Sequence, residues 1–186
     1  GESTDGCTII GGLRMLGKEE VEGDVNVKNL TISQSKGHGV SGGCDFEYCM
    51  AFHLFNLNIE KSKRGGVFVH GSKRTTMSNC QVSHSKEYGV RVRFGLMTIN
   101  GSGTSIHNNG TSGLDTQSSV IHLVSPLTEE NISINNGSGG DYAGAHTIKT
   151  IRSEEQVLCC VDAEGTLHVR PGLNSLLNAV IEANLY

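Results

Sequence analysis

The sequence has little of what a nucleic-acid-binding or membrane-spanning chain needs. Its 186 residues include no tryptophan, only 5% aromatic residues and two prolines, and its net charge is −4. The lack of a basic excess argues against nucleic acid as a partner. No apolar run approaches the roughly 18 residues that span a membrane. Residues 1–12 carry no secretory signal pattern, and a chain starting with Gly is expected to be a processed or excised fragment.

Glycine is abundant, at 25 residues, and Asn, Ser and Thr are frequent. Glycine without a Gly-X-Y period is not collagen, and an apolar content of 36% is too high for a disordered chain. The length suffices for one domain with a core. The composition therefore predicts a folded domain with many sharp corners.

The six cysteines permit three disulfides, but their spacing is not that of a metal site. No Cys-x-x-Cys occurs, Cys44 and Cys49 are separated by four residues, and Cys159 and Cys160 are adjacent. The cysteines are Cys7, Cys44, Cys49, Cys80, Cys159 and Cys160. Because free cysteine packs as a small hydrophobe, we expect mostly buried free thiols, with pairing as the alternative.

Two histidines, His84 and His107, map close to each other in the repeat. We nevertheless predict no metal site and no cofactor.

One segment repeats along the chain. NLTISQSKGHGV (residues 29–40) aligns with NLNIEKSKRGGV (56–67) and NCQVSHSKEYGV (79–90), and weaker copies begin at Gly103 and Asn131. Each copy has alternating apolar residues, a polar turn, and a Gly before an aliphatic residue that opens a second strand. Such a unit cannot bury its apolar edge alone and must stack on its neighbours.

The repeat resembles right-handed parallel β-helices of the pectate-lyase-like superfamily over about residues 7–150. A leucine-rich repeat needs a Leu-x-x-Leu-x-Leu pattern that is absent, and a propeller blade needs a longer period. The resemblance implies an all-β, single-stranded right-handed parallel β-helix of about six coils, in a domain comprising residues 1–150. Asn at a recurring turn position predicts hydrogen-bonded amide ladders between coils.

Residues 151–186 depart from the repeat. Residues 155–172 are predicted to form two strands around an Ala-Glu-Gly turn. Apolar residues from Leu173 to Leu185 then fall on one face of an amphipathic helix. A solenoid needs a cap on its last apolar rung, so we expect this segment to be that cap. The alternative is an assembly segment that binds a partner or further copies of the chain, as in a homotrimer.

The recurring glycines predict which side chains share an outward face. If Gly39, Gly66, Gly89 and Gly113 align, the second and fourth residues after each form two outward rows. At about 4.8 Å per coil, the rows make a patch about 14 Å long. Aromatic rings stack on sugars, and arginine holds carboxylates in a bidentate way. The predicted ligand-binding residues are Ser41, Phe68, His70, Arg91, Arg93, Asp115 and Gln117.

A local resemblance implies a catalytic alternative. Gly37-His38-Gly39 resembles the histidine motif of polygalacturonases, and Arg91-Val92-Arg93 loosely resembles their Arg-Ile-Lys segment. Together with the carboxylate of Asp115 on the mapped face, this resemblance gives His38, Arg91 and Asp115 as the candidate catalytic residues of the alternative. Glycoside hydrolysis needs two carboxyl groups, however, and Asp115 is the only one on the mapped face. The simpler interpretation of His38 is an exposed turn residue without a role.

These observations favour a non-catalytic structural or recognition module that presents an outward face to a glycan or a protein. We expect such a module in a virus particle or a cell-surface assembly, and therefore at an extracellular or particle surface. The alternative is a polysaccharide-active enzyme (a lyase, an epimerase or a polygalacturonase-like hydrolase) acting on uronic-acid polymers. A third hypothesis is an intracellular scaffold that binds a peptide, which free thiols would favour.

Overall fold

The computed structural model describes residues 6–17, 24–45, 48–144, 147–152, 160–161 and 167–168. The chain divides into two compact units, Gly1–Thr150 and Ile151–Tyr186. In the first unit, short strands stack in register from coil to coil. In the described part of the chain, no helix is long and apolar enough to span a membrane.

The strands form three stacks of six. The first stack contains β1 (Cys7–Ile10), the second half of β3 (Val25–Ser33), the second half of β6 (Phe52–Glu60), β9 (Gln81–Ser83), β12 (Ser105–His107) and β15 (Ser133–Ile134). The second stack contains β2 (Leu13–Leu16), β4 (Val40–Asp45), β7 (Val67–His70), β10 (Val90–Arg93), β13 (Ser112–Gln117) and β16 (Gly140–Ala143).

The third stack contains the first halves of β3 and β6, β8 (Thr75–Ser78), β11 (Leu96–Asn100), β14 (Val120–Val124) and β17 (Ile148–Ile151). A short strand β5 (Tyr48–Cys49) pairs antiparallel with β4, and one helical turn, α1 (Glu129–Ile132), precedes β15. A parallel β-helix of about six coils is therefore confirmed, because each stack holds one strand from each of six coils.

Alternation along the strands places one row of each stack in the core. Val67, Val69, Val90 and Val92 are fully buried, while the residues between them face outward and are half-buried. The glycine before each of these strands lies where neighbouring coils approach closely. A Cβ on Gly66 would lie 2.8 Å from the carbonyl oxygen of Gly89. The recurring glycine is therefore a packing requirement of the coil.

Asparagine turns separate the third stack from the first. Asn29, Asn56 and Asn79 have φ angles of 55°, 52° and 51°, in the left-handed region that Asn tolerates better than most residues. The Asn56 Nδ2 donates to the Asn29 Oδ1 at 3.0 Å, so the predicted amide ladder is confirmed at this step. A second amide pair, from Asn109 Nδ2 to Asn136 Oδ1 at 3.0 Å, lies at another corner.

The cysteines differ in part from the prediction. Cys44 and Cys49 form a disulfide across the β4–β5 hairpin, so the expectation of free thiols is wrong for this pair. Cys7 is free but exposed, whereas Cys80 is free and buried, and burial raises the pKa of its thiol. Cys159 and the side chain of Cys160 lie outside the described residues. The disulfide was missed because the hairpin that carries it is an insertion into the repeat.

In the second unit, β18 (Cys160–Val161) pairs antiparallel with β19 (Leu167–His168). This pair lies in the segment where the sequence predicts a hairpin. The helix predicted after Leu173 lies outside the described residues.

Candidate ligand-binding face

The register of the second stack places the predicted site residues in two rows. Ser41, Phe68, Arg91 and Asp115 are successive partners across β4, β7, β10 and β13. Gly43, His70, Arg93 and Gln117 form the second row in the same way. The predicted alignment is therefore confirmed. Arg14 of β2 pairs with Ser41 and extends the first row by one coil, which the sequence analysis missed.

We call this surface the outer face. It consists of Arg14, His38, Ser41, Phe68, His70, Tyr88, Arg91, Arg93, Phe94, Asp115 and Gln117.

Aromatic rings cover the centre of the outer face. The Phe68 ring stacks on His38, with centroids 5.0 Å apart, and lies nearly parallel to His70 at 6.2 Å. These neighbours leave Phe68 half-buried, which explains why an outward phenylalanine is tolerated here. Phe94 follows β10 at a φ of 53°, meets His70 edge-on at 5.7 Å, and is 55% exposed. Phe94 is therefore an accessible ring that the sequence analysis missed.

Tyr88 is the buried anchor of the face. It is 1% exposed, and its ring occupies the space beside Gly65, where a Cβ would lie 2.6 Å from the Tyr88 Cζ. The Arg91 guanidinium lies 3.8 Å from the ring centroid, in a cation–π contact. Burial raises the pKa of Tyr88 to about 12, so its hydroxyl remains a hydrogen-bond donor.

The sequence contains a pattern that could have identified Tyr88 as a residue of the outer face. The residues directly before the recurring glycine are His38, Gly65 and Tyr88 in successive coils. A glycine between two ring-bearing positions leaves a gap that a neighbouring ring can fill.

His38 is held in one tautomer. The Gly65 backbone N–H donates to its Nδ1 at 3.2 Å, so Nδ1 is an acceptor, and the Tyr88 hydroxyl lies 3.1 Å from the same atom as a second donor. The proton of the neutral ring is therefore on Nε2. Partial burial, and then the positive charge of Arg64, lower the pKa of His38 below its usual 6.5. His38 lies in the turn before β4, but the expectation that it is exposed is wrong, because the ring is half-buried and hydrogen-bonded.

We expect His38 to titrate below pH 6.5 in the folded protein, with Nε2–H as the neutral tautomer. Because its pKa is lower folded than unfolded, the unfolded state binds more protons. The contribution of His38 to stability is therefore lost as pH falls from about 6.5 through the folded pKa. A long-range ¹H–¹⁵N NMR titration measures both properties, with His38→Gln identifying the signal. A midpoint at or above 6.5, or an Nδ1–H tautomer, would contradict this geometry.

Asp115 lies in the predicted outward row, but its side chain is buried. It is 6% exposed, and its Oδ2 accepts from Arg91 Nε at 2.7 Å and lies 2.6 Å from Arg91 Nη2. A carboxylate with little exposure is stable when a charged partner hydrogen-bonds it, which Arg91 does. Arg91 and Asp115 are thus paired with each other.

Arg93 has no such partner. Within the described residues no carboxylate pairs with it, and its Nε is buried without a hydrogen-bond partner. Its guanidinium lies 5.5 Å from the Phe94 ring centroid. The terminal nitrogens of the half-buried Arg93 side chain are not among the buried atoms, so an acceptor from outside the chain can reach them.

A cavity of about 1170 Å³ adjoins the outer face at its first coils. Arg14, Lys36 and Arg64 line it together with His38 and Phe68, and its lining contains no carboxylate among the described residues. The described lining of the cavity is therefore positively charged. No group of three or more His, Cys, Asp or Glu side chains in the described ranges is arranged to hold a metal ion.

The family model described as "Right handed beta helix region" matches residues 11–155, which is well over half of the chain. The chain therefore belongs to the right-handed β-helix family. This match confirms the predicted fold and its handedness, and the resemblance to the pectate-lyase-like superfamily is consistent with it. No curated protein and no solved structure matches the chain significantly.

Proposed function

We propose that this chain is a non-catalytic recognition module whose outer face binds a carboxylate-bearing glycan. The observation that carries the proposal is Arg93, a half-buried cation beside the exposed Phe94 ring that pairs with no carboxylate among the described residues. A uronic-acid carboxylate would pair with the terminal nitrogens of Arg93, and the sugar ring would stack on the Phe94 side chain. A module of this kind suits an extracellular or particle surface.

The cationic residues that line the cavity also favour a negatively charged ligand. Arg14, Lys36 and Arg64 line it without an opposing carboxylate among the described lining residues. Of these three, Arg64 forms a long ion pair with Glu87, at 3.8 Å. A polyanionic chain that extends from Arg93 toward the first coils would therefore meet positive charge along its length.

Two features favour binding over turnover. Hydrolysis of a glycosidic bond needs one carboxyl as acid and a second as base or nucleophile. Asp115 is instead held by Arg91, and the described lining of the cavity contains no carboxylate. Elimination from a uronic acid needs a base, but the free ring nitrogen of His38 carries its proton.

The second candidate function is a lyase or epimerase acting on uronic-acid polymers. It is favoured by His38 lining the cavity next to Arg14 and Arg64, because a cation beside a titratable ring could neutralise the substrate carboxylate. His38 would then have to change its tautomer and release the bonds from Gly65 and Tyr88.

Replacing Arg93 with glutamine tests the proposal. We expect Arg93→Gln to weaken binding of oligogalacturonate at least about tenfold, since a charge-assisted hydrogen bond contributes about 1.5–3 kcal/mol. Lys28→Gln is the matched control, because Lys28 is an exposed strand cation on the third stack. Titration calorimetry measures both variants against a charged and a neutral oligosaccharide of equal length. Equal affinity for the two sugars, or an unchanged Arg93→Gln affinity, would refute the proposal.

A further inference from the structure

Two histidines from adjacent coils meet where strands β9 and β12 of the first stack end. The rings of His84 and His107 have centroids 6.0 Å apart and lie nearly perpendicular, at 85°. Ser83 of β9 is the register partner of His107 on β12. His84, the residue after Ser83, is therefore the diagonal neighbour of His107. His84 follows β9 at a φ of 55°, and this turn directs the chain around the corner of the coil. The coil stacking thus brings together two side chains 23 residues apart in sequence.

Both rings have access to solvent. His84 is exposed and His107 is half-buried. In the described residues, the hydrogen-bond partner of His107 is the side chain of Asn108, whose Nδ2 lies 3.0 Å from the His107 Nδ1. An Asn amide can turn to present its oxygen instead, and Nδ1–H would then donate to it and leave the Nε2 lone pair free. Asn108 would thereby orient His107 as a metal ligand.

We propose that His84 and His107 together bind one divalent transition-metal ion of the Zn²⁺, Ni²⁺ and Cu²⁺ class. Imidazole nitrogen suits these ions, whereas Ca²⁺ and Mg²⁺ require oxygen ligands. An ion bound at about 2.0–2.1 Å by one nitrogen of each ring places the ring centroids about 5–6 Å apart. The observed separation meets that condition with small rotations of the side chains.

The surroundings of the pair define the type of site. Glu60 lies close enough to His84 for an electrostatic interaction, and it is bonded by Lys61 at 2.8 Å and Ser33 at 3.0 Å. Glu60 therefore contributes negative charge and is not free as a ligand. Two imidazoles are fewer than the three or four protein ligands of catalytic or structural zinc sites. Water completes the coordination, and the ion is exchangeable and of moderate affinity.

Calorimetric titration of the full chain with ZnSO₄, NiCl₂ and MgCl₂ tests this site. We expect one Zn²⁺ or Ni²⁺ per chain and no Mg²⁺, with the affinity falling at least about tenfold in His84→Gln and in His107→Gln, because a ligand bond is lost. His122→Gln is the matched control, since His122 is a strand residue of β14 in the third stack. Unchanged zinc affinity in both variants, or equal loss in His122→Gln, would overturn the proposal.

A second measurement uses the unmodified protein. Substoichiometric Cu²⁺ broadens NMR signals near the ion that it binds. We expect broadening centred on residues 83–84 and 107–108. Broadening centred elsewhere, or no broadening, would overturn the site independently of the variants.

Discussion

Replacing Gly39 with alanine is expected to lower the free energy of unfolding by about 3 kcal/mol, because overpacking against rigid neighbours is costly. A Cβ at this position would lie 2.9 Å from the carbonyl oxygen of Gly66 and would also collide with the Ile59 side chain. The carbonyl belongs to the next coil, so relief requires the coils to separate. The expected loss of stability therefore measures how closely the adjacent coils pack.

Gly37 provides the matched control within the same Gly-His-Gly motif. A Cβ on Gly37 would meet nothing within 4 Å, so Gly37→Ala should change stability by less than about 0.5 kcal/mol. Urea unfolding followed by far-UV circular dichroism measures both variants. Similar losses for the two glycines would contradict the assignment of Gly39 as the packing residue of the motif.

Replacing Tyr88 with alanine is also expected to lower the free energy of unfolding strongly. Removing a fully buried aromatic ring costs about 3–5 kcal/mol, and here it also empties the space beside Gly65. Tyr88→Phe keeps the ring and loses the hydrogen bond to His38, for which we expect about 1 kcal/mol. The same unfolding assay compares the two variants.

Phe94→Ala is the control for Tyr88→Ala, because Phe94 belongs to the same face but is 55% exposed. We expect Phe94→Ala to change stability much less than Tyr88→Ala. If both alanine variants lose the same stability, then Tyr88 does not anchor the outer face as its contacts indicate.

The fold was predictable from the sequence because each coil repeats the same physical requirement. Before β4, β7 and β10 the backbones approach so closely that only glycine fits, so aligning Gly39, Gly66 and Gly89 recovers the strand register. Strand periodicity then fixes which residues point outward. The two outward rows follow from those two facts alone.

The contacts within the outer face were less predictable. The Tyr88 ring reaches sideways to His38 across the gap at Gly65, and no periodicity within one coil encodes such a contact. Asp115 was predicted to lie in an outward row, but its burial depends on the conformation adopted by Arg91. Phe94 lies in the turn beyond β10, outside the strand pattern that defined the rows. Side-chain reach, rather than backbone register, accounts for these differences.

The Gly-His-Gly motif combines two unrelated features. Gly39 is present because the coils stack closely, and its counterparts precede β7 and β10. His38 is specific to its coil, where Gly65 and Tyr88 fix its tautomer and Phe68 stacks on its ring. The glycine therefore reflects the fold, and the histidine belongs to the outer face.

The most direct test incubates the wild-type protein with oligogalacturonate of one defined length and follows bound fraction and sugar mass together. The account predicts that the sugar binds and is recovered at its original length, without unsaturated or newly reducing ends. Shortened or unsaturated products that are lost in His38→Ala would show that the outer face is an active site. Absence of binding by the folded protein would contradict the proposed recognition function.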